Sequence, residues 1–111
     1  MRPGDIVWMP FPHVEDNRMQ SRPVLIVATG LGGAPDLCWA LMITAASNPA
    51  WPEDVMIRDH EPTGLPVPSR IRTGKIATVA AAGVTPVGRL ADDVWNDVRD
   101  RMAVTLGLAA R

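Results

Sequence analysis

Apolar residues along this chain fall into short runs separated by glycine and proline, and one of these runs organises the rest. Val24-Leu25-Ile26-Val27 is an unbroken aliphatic stretch between Pro23 and Gly30. It is too short for an ordinary helix and too apolar for an exposed loop, so it predicts a strand buried on both faces. Pro23 cannot donate a backbone hydrogen bond and is expected at the first residue of that strand, with Arg22 held extended just outside it.

Around this strand the pattern predicts several others. Gly4-Asp5-Ile6-Val7-Trp8-Met9-Pro10-Phe11-Pro12 reads as a first strand closed by its prolines, with Pro10 at an edge or strand end. His13 to Gln20 is polar and irregular, a loop of the kind that often carries function. Thr29 to Asp36, rich in glycine, predicts a hairpin into a third strand over Leu37 to Ala45, which ends in the polar cluster Thr44, Ser47 and Asn48. A short strand is expected around Asp54 to Arg58, and the proline-rich stretch from His60 to Pro68 reads as loop or edge. Ser69 to Ala80 is a further strand interrupted at Gly74, where a bulge or sharp bend is expected. Val84 to Gly88 offers one more short piece.

The C-terminal segment has a different period. Val94, Val98, Met102 and Leu106 recur at i+4, a single apolar stripe of a helix with Asp92 as its N-cap and Gly107 as its stop. Such a stripe packs on a core. Short strands followed by one amphipathic helix predict a mainly β fold, a small open barrel or strongly bent sheet capped by that helix.

Composition narrows the function without naming it. With 111 residues, 47% of them hydrophobic and 21% charged, the chain is expected to be one soluble domain spanning residues 1–111. A formal net charge of −1 argues against coating nucleic acid by bulk electrostatics, so any RNA or DNA contact must be local. Basic residues do gather at Arg58 and at Arg70, Arg72 and Lys75. The single cysteine, Cys38, excludes an internal disulfide framework and reads as a buried thiol. His13 and His60 lack metal-ligand spacing, and no dinucleotide or phosphate-loop glycine motif is present, so neither a metal nor a cofactor is expected. The N-terminus has no apolar leader and no run is long enough to span a membrane, which predicts a cytoplasmic protein with no membrane partner.

Arg22, a guanidinium fixed at a strand start, is a candidate for phosphate recognition. Thr44 reads more simply as a turn hydroxyl at a strand end. The order of the motifs then becomes specific. Gly4-Asp5-Ile6-Val7 with Pro10-Phe11-Pro12, the Arg22-Pro23-Val24-Leu25-Ile26-Val27 strand, Ile43-Thr44-Ala45-Ala46-Ser47-Asn48, Ile71-Arg72-Thr73 with Lys75-Ile76-Ala77-Thr78, and Gly88-Arg89-Leu90 before the helix stand in sequence. In this order the chain resembles the PemK/MazF-like toxins of type II toxin-antitoxin systems, the mRNA interferases, over nearly its whole length.

That resemblance implies an SH3-like barrel with a helix, a homodimer, and a ribosome-independent endoribonuclease neutralised by a cognate antitoxin protein. It carries the catalytic pair onto Arg22 and Thr44. Metal-free RNA cleavage needs a 2′-hydroxyl to attack phosphorus while charge is stabilised and the leaving oxygen is protonated, and an arginine fork with a hydroxyl donor suits the charge. His13, with an ordinary pKa near neutrality, is a possible general base. Arg18, Gln20, Ser47, Asn48, Arg70, Arg72 and Lys75 are candidate RNA contacts, with Thr73 a hydrogen-bond partner nearby. Single-stranded RNA is the expected substrate, since its bases are readable and its backbone can reach in-line geometry. A dimer would place two copies of the His13 to Gln20 loop together in a shared basic channel that an acidic and apolar antitoxin segment could occupy. The alternative is a non-catalytic interaction module on the same barrel, or a toxin acting on a protein such as a topoisomerase. The presence of both Arg22 and Thr44 favours the nuclease.

Overall fold

The computed structural model of the chain describes residues 1–12 and 18–110. Its strands are β1 (Asp5–Pro12), β2 (Met19–Ala28), β3 (Leu37–Ala45), β4 (Asp54–Ile57), β5 (Ser69–Ala80) and β6 (Gly88–Arg89), followed by the helix α1 (Asp92–Thr105). The strands form a six-stranded antiparallel sheet in the order β4-β5-β3-β2-β1-β6. The fold is mainly β with one C-terminal helix, a small SH3-like barrel left open.

Alternation along the strands gives the sheet two apolar faces. Ile6, Leu25, Leu41, Ile43, Val55, Ile57 and Ile71 lie in one buried cluster, and Val94, Trp95, Val98 and Met102 of α1 pack on it. Val7, Met9, Phe11, Val24, Ile26, Ala40 and Met42 point the other way into a second cluster. A sheet apolar on both sides explains why the strand sequences read as aliphatic runs rather than as clean alternation. Two irregularities help it curl. The register of β2 on β3 shifts between Ile26 and Ala28, and that of β3 on β5 jumps so that Leu41 faces Ile76 while Met42 faces Arg72. Gly74 sits inside the second bulge, as the sequence predicts.

Three expectations are corrected. β2 begins at Met19, so Arg22 and Pro23 lie within the ladder rather than at its start, facing Met9 and Trp8 of β1. A proline is tolerated there because, among the described residues, the sheet pairing of Met19 to Pro23 is with β1 alone. The Ile6 carbonyl accepts from the Val87 amide and therefore turns away from β2. By alternation Arg22 is hydrogen-bonded toward β1, and the missing N–H of Pro23 falls on the open side. The N-cap of α1 is Ala91, extended at φ −62° and ψ 151°, with Asp92 and Asp93 in the first turn where the helix dipole favours acids. Leu106 caps the helix C-terminus and is exposed rather than part of the buried stripe, and Gly107 follows at φ 74°.

Candidate functional site

Where β2 and β3 part, the sheet opens. The two strands are paired from Ala28 with Trp39 as far as Val24 with Met42, while the N-terminal half of β2 stays with β1 and Ile43 to Ala45 stay with β5. Val24 faces Met42, so two residues further on Arg22 stands across from Thr44 over the gap. A cleft of about 350 Å³ fills it, with Arg22, Thr44, Gln20 and Asn48 among its polar lining and Trp8, Pro23, Ile43, Leu65, Pro66 and Val67 among its apolar lining. The two residues singled out as a catalytic pair are thus brought into one cleft from different strands.

Arg22 is half-buried and its Nη2 donates to Gln20 Oε1 at 3.1 Å, which orients the fork while leaving further N–H groups for a ligand. Burial, and secondly the like charge of Arg72, draw its pKa below the ordinary arginine value. The group remains a cation at neutral pH, poorly solvated and near another positive charge, a setting that favours binding of an anion. Across the gap Thr44 Oγ1 accepts from Asn48 Nδ2 at 2.6 Å. With its oxygen already accepting, the hydroxyl proton of Thr44 is left to donate.

Arg70 and Arg72, read from the sequence as RNA or dimer contacts, are engaged with the β3–β4 connection. Arg70 Nε donates to the carbonyls of Ala46 and Asn48, each at 3.2 Å. Arg72 is only 7% exposed, and its Nη2 donates to the Pro49 carbonyl. Arg72 also pairs with Asp54 at 3.7 Å and stacks on Trp51 with its guanidinium carbon 4.5 Å from the ring centroid. Lys75 Nζ lies 5.9 Å from the same ring. Ser47 is exposed in the turn after β3, and Arg18 is exposed at the edge of the segment 13–17. His13 lies outside the described residues. Thr73 does not join this group. Its side chain is buried, donates to the Glu53 carbonyl at 2.9 Å and meets Thr105 Oγ1 at 2.7 Å, because the bulge turns it toward the end of α1.

The far wall of the cleft comes from a stretch that its prolines mark only as loop. A 3₁₀ turn at Glu61–Thr63 is held by His60, whose Nδ1 bonds the Leu65 carbonyl at 2.8 Å, and by Thr63, whose hydroxyl donates to the His60 carbonyl and accepts from the Leu65 amide at 3.3 Å. This turn is pressed onto β6: a Cβ on Gly88 would stand 2.0 Å from the Thr63 carbonyl oxygen. Leu65, Pro66 and Val67 are thereby fixed against the gap. Their role depends on that long-range contact, and nothing local in the sequence announces it. Among the described residues, no three His, Cys, Asp or Glu side chains gather as a metal site would require, and no helix is long and apolar enough to cross a membrane.

No curated protein sequence matches this chain. Solved structures do. MazF from Deinococcus radiodurans superposes with a TM-score of 0.75 at 21% identity, covering 96% of each chain. An endoribonuclease solved in complex with its cognate antitoxin, from a mycobacterial species, gives 0.72 at 16% identity and covers 100% of this chain and 99% of its own. The Mycobacterium tuberculosis toxin MazF-mt6 gives 0.69 at 18% identity over 98% of this chain and 100% of its own. At these identities the likeness is one of fold. The sequence itself matches the family described as PemK-like, MazF-like toxin of type II toxin-antitoxin system over residues 2–106, and the chain belongs to that family.

Proposed function

We propose that the protein is a metal-independent, sequence-specific endoribonuclease that cuts single-stranded RNA at the cleft between β2 and β3. The observation that carries this reading is the meeting of Arg22 and Thr44 at one cleft, on strand segments that have separated from each other. Family membership supports it.

The scissile phosphate sits between the two residues. The 2′-oxygen of the upstream ribose forms a bond to phosphorus as its proton is removed, the bond from phosphorus to the 5′-oxygen breaks, the leaving 5′-oxygen takes up a proton from water, and the products are a 2′,3′-cyclic phosphate and a 5′-hydroxyl. Negative charge grows on the non-bridging oxygens as the bond forms. Arg22 meets it with a fork oriented by Gln20, and Thr44 with a hydroxyl oriented by Asn48. Both donors are in place before the reaction, which is the condition for stabilising a transition state more than the substrate. His13 is the side chain we assign to removing the 2′-proton, since imidazole is the side-chain type suited to general base catalysis near neutral pH. Arg18, Gln20, Ser47 and Lys75 contribute contacts to the RNA around the cut. A second copy of the chain completes the basic channel, and a cognate antitoxin silences it by covering the cleft.

The test is incubation of the wild type and Arg22→Ala with a long unstructured RNA in EDTA, with the fragment ends mapped. Discrete cuts at a recurring sequence with 5′-hydroxyl ends, lost in the variant by about 10²-fold or more, are expected. A folded wild type that cuts no member of a diverse RNA set refutes the nuclease.

A further inference from the structure

Trp51 is an exposed tryptophan with an unusually fixed support. It is 39% exposed, yet the Arg72 guanidinium lies 4.5 Å from its ring centroid, and Arg72 is itself buried and bound to the Pro49 carbonyl and Asp54. The backbone around it is clamped as well. Trp51 N donates to Asp54 Oδ2 at 2.9 Å, the Asp54 amide returns to the Trp51 carbonyl at 3.2 Å, and Arg70 holds the carbonyls of Ala46 and Asn48. Trp39, also exposed, differs in that its indole N–H is bonded to Thr78 on the neighbouring strand. Trp51 stands out as a rigid ring held up from behind by a cation.

Its position relates it to the cleft. Arg72 faces Met42 and Arg70 faces Thr44 across β3 and β5, so these side chains share one face of the sheet with Arg22. Arg22 and Arg72 lie on strands separated by β3 alone, about 10 Å of sheet. The sequence Arg22, Thr44 with Asn48, then Trp51 over Arg72, with Lys75 at 5.9 Å from the ring, makes a basic strip interrupted by one aromatic plane. A short run of extended single strand bridges it. Resting on the nuclease reading, we infer that Trp51 is a stacking platform for one unpaired RNA base next to the scissile phosphate, and that Arg72 is a positioning residue for that platform rather than a phosphate contact. Every base has a π face, so stacking supplies affinity and register, and a contact of this kind is worth roughly a 5- to 150-fold change in binding when removed.

The experiment uses an oligonucleotide carrying the mapped cleavage sequence with a 2′-deoxy sugar at the scissile nucleotide, and an abasic site walked along it one position at a time. Binding is measured for the wild type, Trp51→Ala and Trp51→Phe. The wild type is expected to lose about tenfold at one abasic position away from the scissile nucleotide. Trp51→Ala should show that loss with the intact strand and become indifferent to the same abasic position, while Trp51→Phe keeps most of the affinity. If Trp51→Ala does not fold, Trp51→Leu, which keeps an apolar cover over Arg72 without a π face, takes its place. A Trp51 variant that binds and cuts as the wild type does, or that loses affinity while remaining sensitive to every abasic position, overturns the platform alone. A wild type that neither binds nor cuts RNA removes the nuclease reading and the platform with it.

Discussion

The hydrogen bond from Asn48 Nδ2 to Thr44 Oγ1 makes a quantitative prediction about catalysis. Thr44→Val keeps the shape of the side chain and removes its hydroxyl. Loss of one preorganised donor to the developing charge costs about 10²- to 10³-fold in rate, roughly 2.7–4 kcal/mol. Asn48→Ala leaves the hydroxyl in place and takes away what orients it. The cost is that of one ordinary hydrogen bond, about 0.5–1.5 kcal/mol, or about 2- to 13-fold. Asn48 is exposed and its backbone contacts, the amide to Ala45 and the carbonyl to Arg70, survive the substitution, so folding should be little affected. If the Asn48 side chain acts through Thr44, it has nothing left to orient once the hydroxyl is gone, and the double variant should be no slower than Thr44→Val. Single-turnover cleavage of a one-site RNA with all four proteins measures the cycle. A Thr44→Val rate within about threefold of wild type would sink the role of the hydroxyl. An Asn48→Ala effect that persists at full size on the Thr44→Val background would show that Asn48 touches the RNA by itself.

Two further outcomes concern the scaffold. Gly88→Ala sets a Cβ 2.0 Å from the Thr63 carbonyl oxygen and 2.2 Å from its carbon, backbone that cannot swing aside, so destabilisation by about 3 kcal/mol or more and a fall in Tm beyond about 10 °C are expected by thermal unfolding. A Tm within about 2 °C of wild type would contradict the packing of the 3₁₀ turn on β6. Burial, and secondly the negative charge of Asp36, raise the pKa of the Cys38 thiol above its ordinary value, with the N-terminal charge opposing. The unfolded thiol therefore ionises first, and the stability Cys38 contributes is present in full below about pH 8.5 and is lost as pH climbs through the raised folded value. Denaturant unfolding between about pH 7 and 10 should show wild-type stability falling more steeply than that of Cys38→Ala, and parallel curves would refute the shift.

The strands were legible because their signals are local. Aliphatic runs bounded by glycine and proline marked β1, β3 and β4 within a residue or so, and the bulge at Gly74 followed from a glycine inside a strand pattern. The start of β2 was not legible, since Pro23 is a stop signal only when both sides of a strand are paired, and whether the second side is paired is decided by where β3 turns away. Asp92 illustrates the same limit at a helix end: an acid there serves as N-cap or as first-turn residue, and the backbone of Ala91 decides. At the site, the sequence order and the family resemblance single out Arg22 and Thr44, but their facing across a gap is a matter of register. Trp51 carries no sequence signal because it lies in the connection from β3 to β4 while its support, Arg72, lies on β5. Thr73 adjoins Arg72 in the sequence and is turned from it by the bulge.

The open side of β2 has a consequence for assembly. A strand with unpaired amides is a template on which an extended peptide can add, and a cleft lined by such an edge would be at risk of being zipped shut by any passing chain. Pro23 offers no N–H on that side, so an incoming strand would forgo a ladder bond near the centre of the edge, across from Ile43 and next to the Arg22 and Thr44 pair. Pro10 and Pro12 stand at alternate positions of β1 whose backbone faces away from β2, and they blunt its outer edge beyond β6 in the same way. The gap between the strands can therefore stay open to a ligand that grips through charge and side chains while refusing one that grips through backbone.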